Sequence, residues 1–123
     1  MAHILIVDDD DLLRGALHKT LVRAGHDVED ASDGMAALQA FGRRRCEVVI
    51  TDIVMPKTEG LDMIRALRRL DPDVKIIAIS GGGLGKAGNY LEMAQKFGAT
   101  KVLAKPFSGA EIVSAVADVL AGR

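Results

Sequence analysis

A single cysteine, Cys46, rules out an internal disulfide, and nothing in the chain points to an oxidising compartment. Long apolar runs are missing too: none approaches the ~20 residues that a bilayer span requires. The N-terminus has neither the basic segment nor the long apolar core of a signal peptide, so the expected location is cytoplasmic. Neither sign of charge dominates. Sixteen Lys and Arg against 17 Asp and Glu leave a formal net charge of −1. That balance provides no bulk attraction to nucleic acid or to an anionic membrane, and neither direct nucleic-acid binding nor membrane insertion is expected.

What remains is a chain of 123 residues with a 49% hydrophobic fraction, enough for one core. No linker, repeat or low-complexity segment divides it, and residues 1–123 are read as a single domain. Short β-branched runs recur at Ile4–Val7, Val28–Ala31, Val48–Thr51, Val74–Ile79 and Val102–Ala104. Helix-period segments alternate with them. The first presents Leu13, Ala16, Leu17, Thr20, Leu21 and Ala24 and stops at Gly25. The second runs from about Gly34 to Gly42 behind an Asp33 N-cap. The third carries Leu61, Ile64, Leu67 and Leu70 and ends at Asp71-Pro72. The fourth carries Leu91, Ala94 and Phe97 and closes at Gly98. The fifth opens on the capping box Ser108-Gly109-Ala110-Glu111 and presents Ile112, Val113, Val116, Val119 and Leu120.

Strand–helix repeated five times, (βα)5, predicts an α/β, doubly wound, five-stranded parallel sheet with helices on both faces. The commonest order for such a sheet is the flavodoxin-like 2-1-3-4-5. It sets the first and third strands side by side. Asp8 and Asp9 then share a sheet edge with Asp52, and Lys105 follows the fifth strand. Three carboxylates so close cannot all stay ionised without a cation. Oxygen-only ligands suit Mg²⁺, which Asp8 and Asp9 can hold directly or through water beside Asp52. A carboxylate such as Asp52 can attack phosphorus and form an acyl phosphate. Lys105 would pair with Asp52 or a phosphoryl oxygen, and Ser80, ending the fourth strand, could donate a hydroxyl hydrogen bond to the same oxygens. Taken singly, an acid after a strand reads more simply as a helix N-cap, the role expected of Asp10 or Asp11. The joint pattern at four strand ends favours the phosphoryl reading.

Four motifs carry a resemblance that covers essentially the whole chain. They are Ile4-Leu5-Ile6-Val7-Asp8-Asp9-Asp10, Thr51-Asp52-Ile53-Val54-Met55-Pro56 with Gly60, Ile77-Ala78-Ile79-Ser80, and Lys105-Pro106-Phe107. The chain resembles a stand-alone response-regulator receiver domain, the phospho-acceptor module of two-component signalling. The resemblance implies that Asp52 is phosphorylated by a sensor histidine kinase or a phosphotransfer protein. It implies that Asp8, Asp9, Asp52 and the backbone carbonyl of Val54 serve Mg²⁺, with Asp9 the more direct ligand of the acidic pair. Ser80 would be the switch hydroxyl and Lys105 the counter-charge. The domain would assist its own phosphorylation without being an enzyme in the ordinary sense. As a monomer or weak dimer lacking an output domain, it would signal to a downstream protein through the loop after Ser80 and the face of the fourth helix, fifth strand and fifth helix, or relay the phosphoryl group. The alternative within this fold is an adaptor that works unphosphorylated.

Two departures stand out. Many receivers place Tyr or Phe three residues before the lysine, where this chain has Val102. The loop Ser80-Gly81-Gly82-Gly83-Leu84-Gly85-Lys86-Ala87-Gly88 is about three residues longer than the common pattern, and its five glycines make its ordering costly. Rival motifs fail on particulars. Gly83-Leu84-Gly85-Lys86-Ala87-Gly88 spells a dinucleotide fingerprint, but no acid ends the next strand. Gly85-Lys86 hints at a P-loop, but Ser80 and Ala87 replace required residues. An aspartyl-phosphate hydrolase would want an acid at position 54, which is Val54. His3, His18 and His26 lack metal-ligand spacing and are expected to be solvated or capping. Arg43-Arg44-Arg45 suits a helix C-terminus. Met35, Met63 and Met93 read as core or partner surface, and Cys46 as a small buried hydrophobe.

Overall fold

The computed structural model describes residues 2–53, 59–80, 95 and 98–122. Five parallel strands form one sheet in the order β2-β1-β3-β4-β5, the order of flavodoxin-like folds. The elements follow as β1 (His3–Val7), α1 (Asp11–Arg23), β2 (Asp27–Ala31), α2 (Gly34–Arg43), β3 (Val48–Asp52), α3 (Glu59–Leu70), β4 (Lys75–Ser80), β5 (Lys101–Ala104) and α4 (Gly109–Leu120). The helix expected around Leu91, Ala94 and Phe97 lies outside the described residues, as do the glycine loop 81–88, Val54 and Met93. Gly98, its expected stop, adopts φ 118°, a backbone region that glycine enters without a Cβ penalty.

Strand composition explains the layering. The side chains of β1, β3 and all but the first of β4 are buried along their whole length, because helices cover both faces of the sheet. Period-two alternation sorts those side chains between two cores. Leu5, Val7, Val49, Ile76 and Ala78 pack with Phe41 of α2 and Met63, Ile64 and Leu67 of α3. Ile4, Ile6, Val48, Ile50, Ile77 and Ile79 pack on the other side with Leu17 and Leu21 of α1 and Ile112, Val116 and Val119 of α4. At the sheet edge, β2 reads Asp-Val-Glu-Asp-Ala and is largely accessible, a charged edge that discourages further strand pairing.

Helix ends follow their local chemistry. Asp10 caps α1 by accepting from Leu12 N at 3.0 Å and Leu13 N at 3.2 Å. Asp33 caps α2 through Ala36 N at 2.7 Å. Ser108 and Glu111 form both halves of the capping box that opens α4. Past α1, Gly25 takes φ 95° and turns the chain into β2. Arg43 closes α2, Arg44 pairs with Asp27 at 2.8 Å, and Arg45 lies over the Phe41 ring at 4.9 Å. Cys46 is buried, and burial pushes its thiol up to about 12, as suits an inert hydrophobe. The methionines divide: Met63 is core and Met35 is exposed.

Ile64 is fully buried between α3 and the sheet. Ile64→Ala is expected to cost about 2–5 kcal/mol of stability through lost burial and the cavity left behind. Urea unfolding at constant m-value measures it.

Candidate functional site

Backbone pairing at the carboxyl edge of the sheet sets the site. Val7 of β1 is in register with Thr51 of β3, so the next residues on the two strands are Asp8 and Asp52. Each strand end is pinned by one further bond. Asp8 N donates to Ala31 O at 3.1 Å, Ile53 N to Ile79 O at 2.9 Å, and Lys105 N to Ser80 O at 2.8 Å. These bonds extend the sheet past the regular ladder to Asp8, Ile53 and Lys105, while Asp52 and Ser80 are the last paired residues of β3 and β4. The Lys105-Pro106 peptide is cis.

Asp8, Asp52 and Ser80 are all buried, while Asp9 is exposed at the mouth. Lys105 Nζ reaches across to Asp52 Oδ2 at 2.9 Å. The Asp52 side chain is only 6% exposed there and that of Lys105 27%, so the pair is shielded from water far more than a surface ion pair. The structure therefore brings Asp8, Asp52, Lys105 and Ser80 to one edge, with Asp9 beside them. The carbonyl of Val54 lies outside the described residues.

Asp8 is under electrostatic stress. Burial pushes its carboxyl up from the ordinary 3.8 to about 6, and the nearby charges of Asp52 and Asp9 push the same way. The Asp10 amide, donating to Asp8 Oδ1 at 2.9 Å, and the Lys105 charge oppose the rise without cancelling it. Asp8 Oδ2 is buried and has no hydrogen-bond partner among the described residues. An orphaned carboxylate oxygen beside a second carboxylate is the chemistry a hard cation satisfies. Among the described residues, no three His, Cys, Asp or Glu side chains gather into a ready-made metal cage. Mg²⁺ fits that arrangement, because it keeps several waters and takes one or two carboxylates.

Residues outside the expected set also touch the site. Arg14, in the first turns of α1, donates to the Asp8 carbonyl at 2.7 Å. No spacing pattern flags this bond, because its acceptor is backbone. The histidines depart in part from expectation. His3, expected to be solvated or capping, is buried at the start of β1, with Asp27 at 3.4 Å and Glu29 at 3.5 Å from its two ring nitrogens. The cause is position: the first residue of a central strand is enclosed by its neighbours. His18 stands 2.7 Å from Asp30, and His26 Nδ1 accepts from Ala2 N at 3.1 Å.

The raised Asp8 makes a pH-dependent stability prediction for the cation-free protein. A carboxyl whose folded pKa lies above its unfolded value destabilises the fold when ionised. The penalty grows as pH rises from about 3.8 to about 6 and then levels off. Asp8→Asn removes the charge and keeps an oxygen for the Asp10 amide. Its stability gain at pH 7.5 is expected to exceed its gain at pH 4.5 by roughly 2 kcal/mol. Denaturant melts in chelator at both pH values check this; equal gains would discard it.

Similarity to known proteins runs the length of the chain. A family model described as the response regulator receiver domain matches residues 4–117. The chemotaxis protein CheY of Thermotoga maritima is 33% identical, over 94% of this chain and 95% of its own. The DNA-binding transcriptional regulator NtrC of Azospirillum brasilense is 36% identical over 97% of this chain, which spans only 24% of NtrC. The receiver domain of NtrX from Brucella abortus superposes with a TM-score of 0.90 at 26% identity, covering 98% of this chain and 99% of that domain. Among the described residues, no helix is long and apolar enough to cross a membrane. With a sheet order of β2-β1-β3-β4-β5 and a matching family model over nearly all its residues, this chain belongs to the response regulator receiver domains of two-component systems.

Proposed function

We propose that the chain works as a phospho-acceptor: Asp52 takes a phosphoryl group from a sensor histidine kinase or a phosphotransfer protein. The observation that carries this reading is the Lys105–Asp52 contact of 2.9 Å beside a buried oxygen of Asp8 that has no hydrogen-bond partner among the described residues. A carboxylate held by a lysine, next to a second buried carboxylate, has the parts that phosphoryl transfer needs: a nucleophile, a counter-charge and oxygen ligands for a cation.

The step is a displacement at phosphorus. A carboxylate oxygen of Asp52 forms the new O–P bond. The P–N bond to the donor imidazole breaks, and its electron pair leaves with the ring nitrogen. Asp8 and Asp9, with Asp52 and the Val54 carbonyl, would hold Mg²⁺, which when bound offsets the charge of the phosphoryl oxygens. Lys105 turns from the bare carboxylate toward the phosphoryl oxygens, keeping its charge matched throughout. Ser80, buried at the end of β4, offers a hydroxyl to the same oxygens. The added charge and acceptor atoms then bias a two-state change in the loop after Ser80 and in the surface around β5 and α4, which a downstream protein reads. Chemotaxis and transcriptional control are the settings of CheY and NtrC; for this chain the output is protein binding or onward transfer of the phosphoryl group.

Intact mass after incubation with acetyl phosphate tests the reading. Wild type is expected to gain one phosphoryl adduct that requires Mg²⁺, and Asp52→Asn none. Lys105→Ala should keep the fold and slow adduct formation by roughly 10²-fold or more, a loss typical of removing one preorganised electrostatic partner. If wild type binds neither phosphoryl nor beryllofluoride with Mg²⁺ present, the phospho-switch is wrong and the adaptor reading replaces it. Lifetime supplies a second check. Val54 has no polar side chain to orient an attacking water, so the phosphorylated form should be long-lived. Val54→Asn or Val54→Gln is expected to shorten its half-life severalfold, a difference within the reach of one positioned water.

A further inference from the structure

Arg14 lies outside every motif that marks the acidic edge, yet its side chain ties α1 to that edge. Its Nη1 donates to the Asp8 carbonyl at 2.7 Å, and its Nη2 to Asp11 Oδ1 at 2.6 Å. Its Nε stands 3.9 Å from Asp30 Oδ2, and Asp30 is in turn held by His18 at 2.7 Å. The Arg14 side chain is 18% exposed and its bond to the Asp8 carbonyl is partly buried, while its partner Asp11 is exposed. A planar guanidinium can serve three acceptors in fixed directions, which an ammonium cannot.

The turn it grips is otherwise held from two sides. Asp8 N is bonded to β2 through Ala31 O, and Asp8 Oδ1 accepts from the Asp10 amide. The Asp10 side chain is occupied in capping α1. Arg14 fixes the remaining backbone group of Asp8 and thereby the orientation of the peptide that leads into Asp9. From these contacts we infer that Arg14 is a positioning residue for the Asp8–Asp9 pair, setting the geometry in which the two carboxylates receive a cation. The inference rests on the Mg²⁺-dependent reading above.

Two effects of Arg14 on cation binding have opposite signs, and that makes the inference testable. As a nearby positive charge it disfavours a second cation. As a fork that orients the ligand turn it favours one. Its charge is already offset by Asp11 and Asp30, so orientation should dominate. Outer partners of metal ligands typically contribute 10–100-fold in affinity.

Calorimetric titration of Mg²⁺ into the full chain decides between them, with wild type, Arg14→Met, Arg14→Lys and Asp9→Asn compared and thermal melts run alongside. Arg14→Met is expected to weaken Mg²⁺ binding about tenfold. Arg14→Lys, which keeps the charge and loses the fork, should fall well short of wild type; it also carries the test if Arg14→Met fails to fold. Mg²⁺ affinity unchanged or tightened in folded Arg14 variants, while Asp9→Asn binds poorly, overturns the positioning role and leaves the phospho-acceptor reading intact. A wild-type chain that takes up no Mg²⁺ at millimolar concentration overturns both.

Discussion

Two buried carboxylates at the ends of adjacent parallel strands are the constraint on which the rest of this molecule turns. Asp8 and Asp52 follow from the pairing of β1 with β3, and each adds charge where water is scarce. Burial pushes the Asp8 carboxyl up to about 6, and the charge of Asp52 beside it pushes the same way. Lys105 is the compensation the fold supplies. It sits 53 positions beyond Asp52, on the far side of β4, and only the order β3-β4-β5 brings the two within 2.9 Å. Among the described residues, Lys105 is the lysine that reaches these two buried acids. A system of two buried carboxylates and a flanking lysine responds strongly to an added cation or to an added phosphoryl group, because either changes the charge balance in a medium that screens poorly.

The scaffold holds these groups in place by enclosing them. Both faces of the central strands are covered, α1 and α4 on one side and α2 and α3 on the other, so those strands have no room to slip. A slip by one residue would exchange the two cores and move every polar end group off the edge. Rigidity of the sheet and responsiveness of its edge are therefore the same property seen from two positions. The backbone bonds from Asp8, Ile53 and Lys105 to neighbouring strands carry the rigidity up to the residues that feel charge.

Much of this was legible in the chain itself, and for identifiable reasons. Short β-branched runs three to six residues long, separated by helix-period segments, can bury themselves in few ways other than a parallel sheet between helices. Caps at Asp33 and at Ser108–Glu111, and the turn at Gly25, are local chemistry, readable without knowing the fold. The acids after β1 and β3 were conspicuous because polar residues rarely interrupt such runs by accident. The Arg14 bond to the Asp8 carbonyl was not legible, since its acceptor is common to every residue. The enclosure of His3 was missed as well: a histidine before an apolar run reads as a boundary, whereas the central position of β1 makes that boundary interior. The division of the methionines, Met63 inside and Met35 outside, likewise depends on which helix face meets the sheet.

The sequence by itself determined which groups exist, the order of the described strands and helices, and that acids would close two strands and a lysine follow a third. These are outcomes of side-chain periodicity, capping and backbone preference, all of which act over a few residues. Only the tertiary structure decided that Lys105 meets Asp52, that Asp8 keeps one oxygen buried and unpartnered among the described residues, and that Arg14 grips the turn that follows Asp8. Each of those depends on strand order and on the depth of burial, and burial is a property of the whole assembly: the cost of a charge is set by how much water the surrounding chain has displaced.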